Sequence, residues 1–340
     1  MSLLQDLLAT NRALLADGAT GTNLFAAGLT AGDPPELWNF DYPEATLELL
    51  RSFVDAGADI ILTNSFGANR ERLKLHNAQD RVFEINKRAA ELARDVAEAT
   101  DRPVVVAGSM GPTGELFEPL GALTHAAAVE SFAEQARGLK AGGADVCWIE
   151  TMSAAEEMRA AAAGAIEAGM DYTVTASFDT AGRTMMGLTP GDLHTVFAGL
   201  DARPVAIGAN CGVGAPDLLY SLVRMTEATP GTAIIAKSNC GIPRVHGEHV
   251  HYSGTPELMA EYARLAIDVG ARIIGGCCGT TAAHLAAMRV VIDEHAPRPR
   301  PDRSVIEERV GPLVNPPGDG SGRTRERRGR RGGGAEARAG

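Results

Sequence analysis

Two patterns alternate along most of the chain. A short apolar run is followed by a longer stretch in which apolar residues recur every three or four positions among charged ones. The first pattern predicts a strand buried on both faces and the second an amphipathic helix. Strands are expected at 14–19, 58–64, 103–108, 145–150, 172–178, 204–209, 232–237 and 272–275. Helices are expected at 43–56, 81–100, 126–141, 154–168, 192–200, 216–228, 256–269 and 282–294. Pro43 with Gly57, and Pro256 with Gly270, bracket two of these helices in the usual sense of proline inside the start and glycine past the end. Eight strand–helix units predict one (β/α)8 TIM barrel over residues 1–297, with its working residues at the carboxyl ends of the strands. An open doubly wound sheet would gather polar residues at one switch point. Here they follow nearly every strand, which favours the barrel.

Composition changes the picture at the end of the chain. After His295 comes Ala-Pro-Arg-Pro-Arg-Pro-Asp-Arg, later Pro316-Pro317-Gly318 and an Arg/Gly run. Residues 298–340 are therefore expected to be a disordered Arg/Gly/Pro-rich tail. The formal charge of −11 argues against nucleic acid as a partner, although residues 311–340 alone carry seven arginines against three acids. No apolar run is long enough to span a bilayer, and the acid-bearing first twenty residues lack the form of a signal peptide. Five cysteines without framework spacing suit a reducing cytoplasm.

The chemistry gathers around Gly275-Gly276-Cys277-Cys278-Gly279-Thr280. Neighbouring cysteines strain a mutual disulfide, but both can ligate one metal where glycines let the chain bend. Gly208-Ala209-Asn210-Cys211-Gly212 offers a third thiol at another strand end. Three thiolates converging on Zn2+ with one open position follow from this, and such a site activates an incoming thiol rather than water. The remaining strand ends carry acids, amides and hydroxyls, which suits a substrate with ammonium and carboxylate groups. Asp17 and Glu150 are assigned to the ammonium, and the Ser109 and Thr113 hydroxyls with glycine-turn N–H groups to the carboxylate. Asn239 offers an oxygen for the vacant metal position, and Cys240, which adjoins it at the strand end, is left open between a place within reach of the metal and one away from it. Cys147 reads as core. His246, His249 and His251 alternate as in an exposed ribbon.

These residues also carry a resemblance. Asp17-Gly18-Ala19-Thr20-Gly21-Thr22, Thr63-Asn64-Ser65-Phe66, Gly108-Ser109-Met110-Gly111-Pro112-Thr113-Gly114, Glu150-Thr151, Asn210-Cys211, Asn239 and the paired-cysteine stretch resemble the homocysteine S-methyltransferase family. The likeness covers roughly residues 10–295. It implies a zinc barrel with ligands Cys211, Cys277 and Cys278, and a homocysteine pocket that includes Asp17, Gly18, Ser109 and Glu150. It also implies methyl transfer to homocysteine, giving methionine. Within the family the chain looks most like bacterial betaine–homocysteine methyltransferases and the homocysteine module of cobalamin-dependent methionine synthase. Glycine betaine is the favoured donor, and a quaternary ammonium wants aromatic faces. Trp38 is the first candidate for that face, followed by Phe66, Phe117 and Trp148. S-adenosylmethionine or S-methylmethionine as donor, C-methylation of an α-keto acid, and a non-catalytic zinc scaffold closed by Cys240 stand as alternatives. A homo-oligomer and a separate corrinoid protein are both compatible with the sequence.

Overall fold

The computed structural model describes residues 2–10, 12–241, 243–246 and 249–316, with the side chains of 243–246 and 249–251 outside that description. In chain order the strands are β1 (Leu14–Leu15), β2 (Ile60–Leu62), β3 (Val105–Met110), β4 (Val146–Met152), β5 (Tyr172–Ala176), β6 (Ala206–Cys211) and β7 (Ala233–Ser238). A hairpin of β8 (Pro243–His246) and β9 (His249–Tyr252) follows, and then β10 (Ile273–Gly276). The helices are α1 (Leu3–Leu8), α2 (Thr20–Ala26), α3 (Trp38–Asp41), α4 (Pro43–Asp55), α5 (Arg70–Lys74), α6 (Val82–Glu98) and α7 (His125–Ala141). They continue with α8 (Ala155–Glu167), α9 (Ala215–Ala228), α10 (Pro256–Val269), α11 (Ala282–Glu294) and α12 (Arg303–Val310).

Eight strands form one parallel sheet in the order β1-β10-β7-β6-β5-β4-β3-β2. This is the predicted (β/α)8 barrel. Its seam lies between β1 and β2, where regular pairing shrinks to the single bridge Ala16–Ile60. Two buried carboxylates staple that seam. Asp59 accepts from the Leu15 N–H at 2.8 Å, and Asp17 accepts from the Leu62 N–H at 2.7 Å. Each hydrogen bond satisfies a backbone donor that a short strand cannot pair by itself.

Alternate residues of each strand face the barrel interior. Leu14, Ile60, Val105, Val146, Ala206 and Ile235 fill its amino end, and Leu4 of α1 plugs it from below. The opposite parity packs outward against the helices, as with Leu15, Ile61, Val106 and Ile274. No helix among the described residues is long and apolar enough to cross a membrane.

Two expectations are corrected. The connection between β5 and β6 is a 3-10 helix, Pro190–Phe197, rather than an α-helix over 192–200. Proline and glycine at its start and β-branched Thr195 and Val196 near its end make a poor α-helix, while Leu193 and Phe197 still bury fully. Residues 298–316, expected to be disordered, are ordered and carry a helix. Asp302 caps α12 through the Val305 N–H, and Ile306, Val310 and Leu313 bury on the barrel, with α12 against α9 and α10. The Asp217 carboxylate accepts the Val314 and Asn315 N–H groups. Charged neighbours conceal the three apolar residues whose spacing makes this face. Residues 317–340, the rest of that expectation, lie outside the described residues. The histidine-bearing segment pairs His246 with His249 and Arg244 with His251 in an antiparallel ribbon.

Candidate active site

Strands β6 and β10 end side by side with β7 between them. Cys211, the last residue of β6, adopts φ 63°, and Gly212 follows at φ 72°. A non-glycine residue in the left-handed region is uncommon and strained, and such residues collect at functional sites. Here the turn re-aims the Cys211 side chain toward β10. After β10 the chain bends so tightly that a Cβ on Gly276 would come within 2.2 Å of the Thr280 hydroxyl. Only glycine fits there. The Cys277 N–H donates to the Ser238 carbonyl at 2.7 Å, and the Thr280 hydroxyl donates to the Cys277 carbonyl at 2.6 Å.

These bends bring Cys211, Cys277 and Cys278 together, with their sulfurs all within 4.8 Å of one another. Tetrahedral thiolate ligation of zinc places sulfurs about 3.8 Å apart, so the cluster fits a metal ion. Crowding and burial by themselves favour the protonated thiols. Cys211 is drawn down by its hydrogen bond with Cys277, yet the contact with Cys278 and burial carry it up to about 11. Cys278 is lowered by Cys211 but raised by Cys277 and by burial, reaching about 12. The Cys277 thiol is pushed up by Cys211 and by burial. A bound cation reverses this by favouring the thiolates.

Two asparagines support the sulfurs. Asn210 directs its amide NH2 at Cys277 Sγ (3.8 Å) and at Thr151 Oγ1 (2.7 Å). Asn239 directs its own at Cys211 Sγ (3.8 Å) and at the Gly212 carbonyl (2.7 Å). The Asn239 oxygen, expected at the vacant metal position, accepts from the Cys278 N–H at 3.0 Å and so braces the cysteine loop. Cys240 also stands apart from the cluster. Its thiol lies 3.0 Å from the Gly254 carbonyl and 3.1 Å from His284 Nε2, and His284 Nδ1 reaches back to accept from the Thr281 N–H.

The thiols form part of the wall of a cavity of about 560 Å³, which runs outward past Gly18, Ser109 and Glu150 to Phe66 and Arg72. The Ser109 hydroxyl donates to Glu150 Oε1 at 2.5 Å. Burial raises the Glu150 pKa above the ordinary carboxylate value, and Lys237 and Ser109 only partly counter it. Asp17 is fully buried, with Oδ2 on the Leu62 N–H and Oδ1 2.5 Å from the Lys237 ammonium. Thr113 spends its hydroxyl and its N–H on Glu157. Both hydroxyls assigned to a substrate carboxylate are thus engaged with buried acids. Trp38 lies outside the cavity wall, packed with Leu24 and Leu29, its ring 4.7 Å from that of Tyr42 and tilted 50° to it. Phe66 and Phe25 supply aromatic surface to the cavity instead. Trp148 faces into the barrel as core, and Phe117 packs in the outer core.

Lys237 is the residue the sequence reading passed over. It is 2% exposed, lines the cavity, and holds its Nζ 5.8 Å from the Trp148 ring. Burial opposes its charge, but Asp17 and Glu150 outweigh that and hold its pKa above the ordinary lysine value. The signal was available: Lys237 shares inward parity with Ile235, just as Glu150 does with Trp148.

Comparison with known proteins agrees with this geometry. Residues 14–292 match the model of the family described as homocysteine S-methyltransferase. Methionine synthase of Mycobacterium tuberculosis is 31% identical over 315 residues, 88% of this chain. That of Mycobacterium leprae is 29% identical over 324 residues, 89% of this chain. The chain spans about a quarter of the length of these relatives, 26% in each case. Among solved structures, the metallated form of the homocysteine methyltransferase MmuM from Escherichia coli superposes with a TM-score of 0.70 at 25% identity. The match covers 84% of this chain and 99% of that one. By its matched residues, its barrel and its triple-thiol strand ends, the chain belongs to the homocysteine S-methyltransferase family.

Proposed function

We propose that this methyltransferase moves a methyl group from a small onium donor, glycine betaine first, to the sulfur of homocysteine, giving methionine, with Zn2+ held by Cys211, Cys277 and Cys278. The observation that carries the reading is the three-sulfur cluster opening onto a cavity lined by Glu150 and Lys237. An all-thiolate zinc site with an open fourth position lowers the pKa of an incoming thiol and keeps its sulfur nucleophilic. Asn210 and Asn239 hold the ligand loops in register and offer N–H groups to two of the sulfurs. Glu150 presents a buried carboxylate to the acceptor's ammonium. At the outer cavity Phe66 and Phe25 offer aromatic faces, and Glu36, buried against the Gly67 N–H, adds a carboxylate. That combination favours a cationic methyl group. The chain's part in catalysis is alignment of thiolate and methyl, which lowers a barrier by removing the entropy cost of their meeting. Because Cys240 is engaged by His284 and Gly254, the fourth metal position is left to a ligand from outside the cysteine set, which supports an enzyme over a closed scaffold.

The test is methionine formation by metal-loaded protein from homocysteine and glycine betaine alone. Product supports donor and acceptor together. With metal bound, no product from betaine but product from a sulfonium donor removes betaine and keeps the acceptor. Product from neither, with methylation of an α-keto acid, overturns the thiol reading.

A further inference from the structure

The acceptor cavity needs a charge to meet the carboxylate of an amino acid, and the hydroxyls first expected beside the glycine-turn N–H groups are spent. Ser109 donates to Glu150, and Thr113 donates to Glu157. Thr63 Oγ1 pairs with the Ser65 hydroxyl and accepts the Ser109 N–H. Asn64 donates to the Pro35 carbonyl. Among the described residues, three basic side chains line the cavity, and two of them, Arg72 and His76, are exposed on and just after α5. The third is Lys237, buried beside the thiols.

We propose that Lys237 is the specificity-determining residue that binds the carboxylate of the acceptor, while Glu150 faces its ammonium. This rests on the reading that the acceptor is a thiol amino acid. An ammonium has three protons. The Asp17 carboxylate takes one at 2.5 Å, and the Asp17 carbonyl, at 3.4 Å, lies near a second. The remaining donor belongs to a group that forms part of the cavity wall. A lysine kept only to neutralise Asp17 is poorly explained, because burying an ion pair seldom stabilises a fold more than apolar packing does. Its cavity position supplies the missing reason. Lys237 and Glu150 line one cavity with the thiols, and Asp17 and Ser109 hold the two head groups in place. They therefore present a cation and a carboxylate to the same bound molecule, as the two charged groups of an amino acid require. Asp17 then serves as a positioning residue that fixes the ammonium from behind.

Calorimetric binding to the metal-loaded full chain tests this without turnover. The probes are L-homocysteine, 3-aminopropane-1-thiol, which lacks the carboxylate, and 4-mercaptobutyrate, which lacks the ammonium. The wild type is expected to bind homocysteine about 10- to 100-fold more tightly than the aminothiol, the range of one charge-assisted hydrogen bond. In Lys237→Met that preference should vanish because homocysteine weakens while the aminothiol stays within about twofold. Asp17→Asn/Lys237→Met removes the unpaired charge, keeps an acceptor for the Leu62 N–H, and should behave the same with full metal content. A wild type that binds homocysteine and the aminothiol equally overturns the proposal, as do metal-loaded variants that keep the preference. A metal-loaded wild type that binds none of the three thiols instead overturns the functional reading beneath it.

Discussion

Asp59 and Asp17 do the same mechanical work at opposite ends of one seam, and everything around them differs. At the amino end Asp59 faces Arg12 at 2.7 Å and Arg289 at 2.9 Å, with Arg102 at 3.9 Å, and the side chains of Arg12 and Arg102 are 46% and 37% exposed. At the carboxyl end Asp17 has one counter-charge among the described residues, Lys237, with 0% and 2% of the two side chains exposed. Several wet arginines make a forgiving lock, since losing one leaves others and water. A single dry lysine makes an unforgiving one, because either partner alone is a buried uncompensated charge. The fold therefore keeps redundancy where only closure is at stake and gives it up where the cation also lines a cavity.

The comparison breaks most visibly at the thiols. Replacing Cys277 by Ala should remove both bound metal and methyl transfer while far-UV circular dichroism stays unchanged; an active, metal-free variant would end the account. Next come the staples. Asp17→Ala should cost about 3–5 kcal/mol in urea unfolding and also impair homocysteine binding. Asp59→Ala should cost about 2–4 kcal/mol, because its arginines can rehydrate, and leave the activity per folded molecule intact. If Asp59→Ala weakens homocysteine binding as well, the two ends are not separate in function. A smaller effect is expected from Glu150→Gln: metal retained, and the KM for homocysteine raised about 10- to 100-fold. Loss of metal there would contradict the role given to Glu150. Smallest is Cys240→Ala, which should keep one metal per chain and cost about 1–2 kcal/mol, measurable as a lower Tm. Metal lost from that variant would mean the site is closed by a fourth thiol.

The barrel was legible because its strands and helices differ in hydrophobic period, and seven of the eight helical connections fall within two residues of their expected bounds. The exception, Pro190–Phe197, carries proline, glycine and β-branched residues that favour a tighter turn. The short α2, α3 and α5 were not legible, since helices of four to seven residues are held by the loops they sit in. The thiol triad was readable from glycine-flanked cysteines at strand ends. Hydrogen-bond saturation was not, because it depends on neighbours distant in sequence. Thr113 meets Glu157 across 44 positions, and Asp17 meets Lys237 across 220. Trp38 misled for a related reason: an aromatic in a polar loop looks available until Leu24 and Leu29 close over it.

The α12 clasp also fixes where the described chain can be held. The Asn315 side chain donates to the Asp179 carbonyl just past β5, so the last described residues are delivered to the carboxyl rim. The first residues lie at the other opening, where α1 plugs the barrel. Protein anchored to a solid support through its amino end would turn the cavity toward the solution. A bulky fusion attached after residue 316 would start at the rim itself and compete with whatever delivers the methyl group.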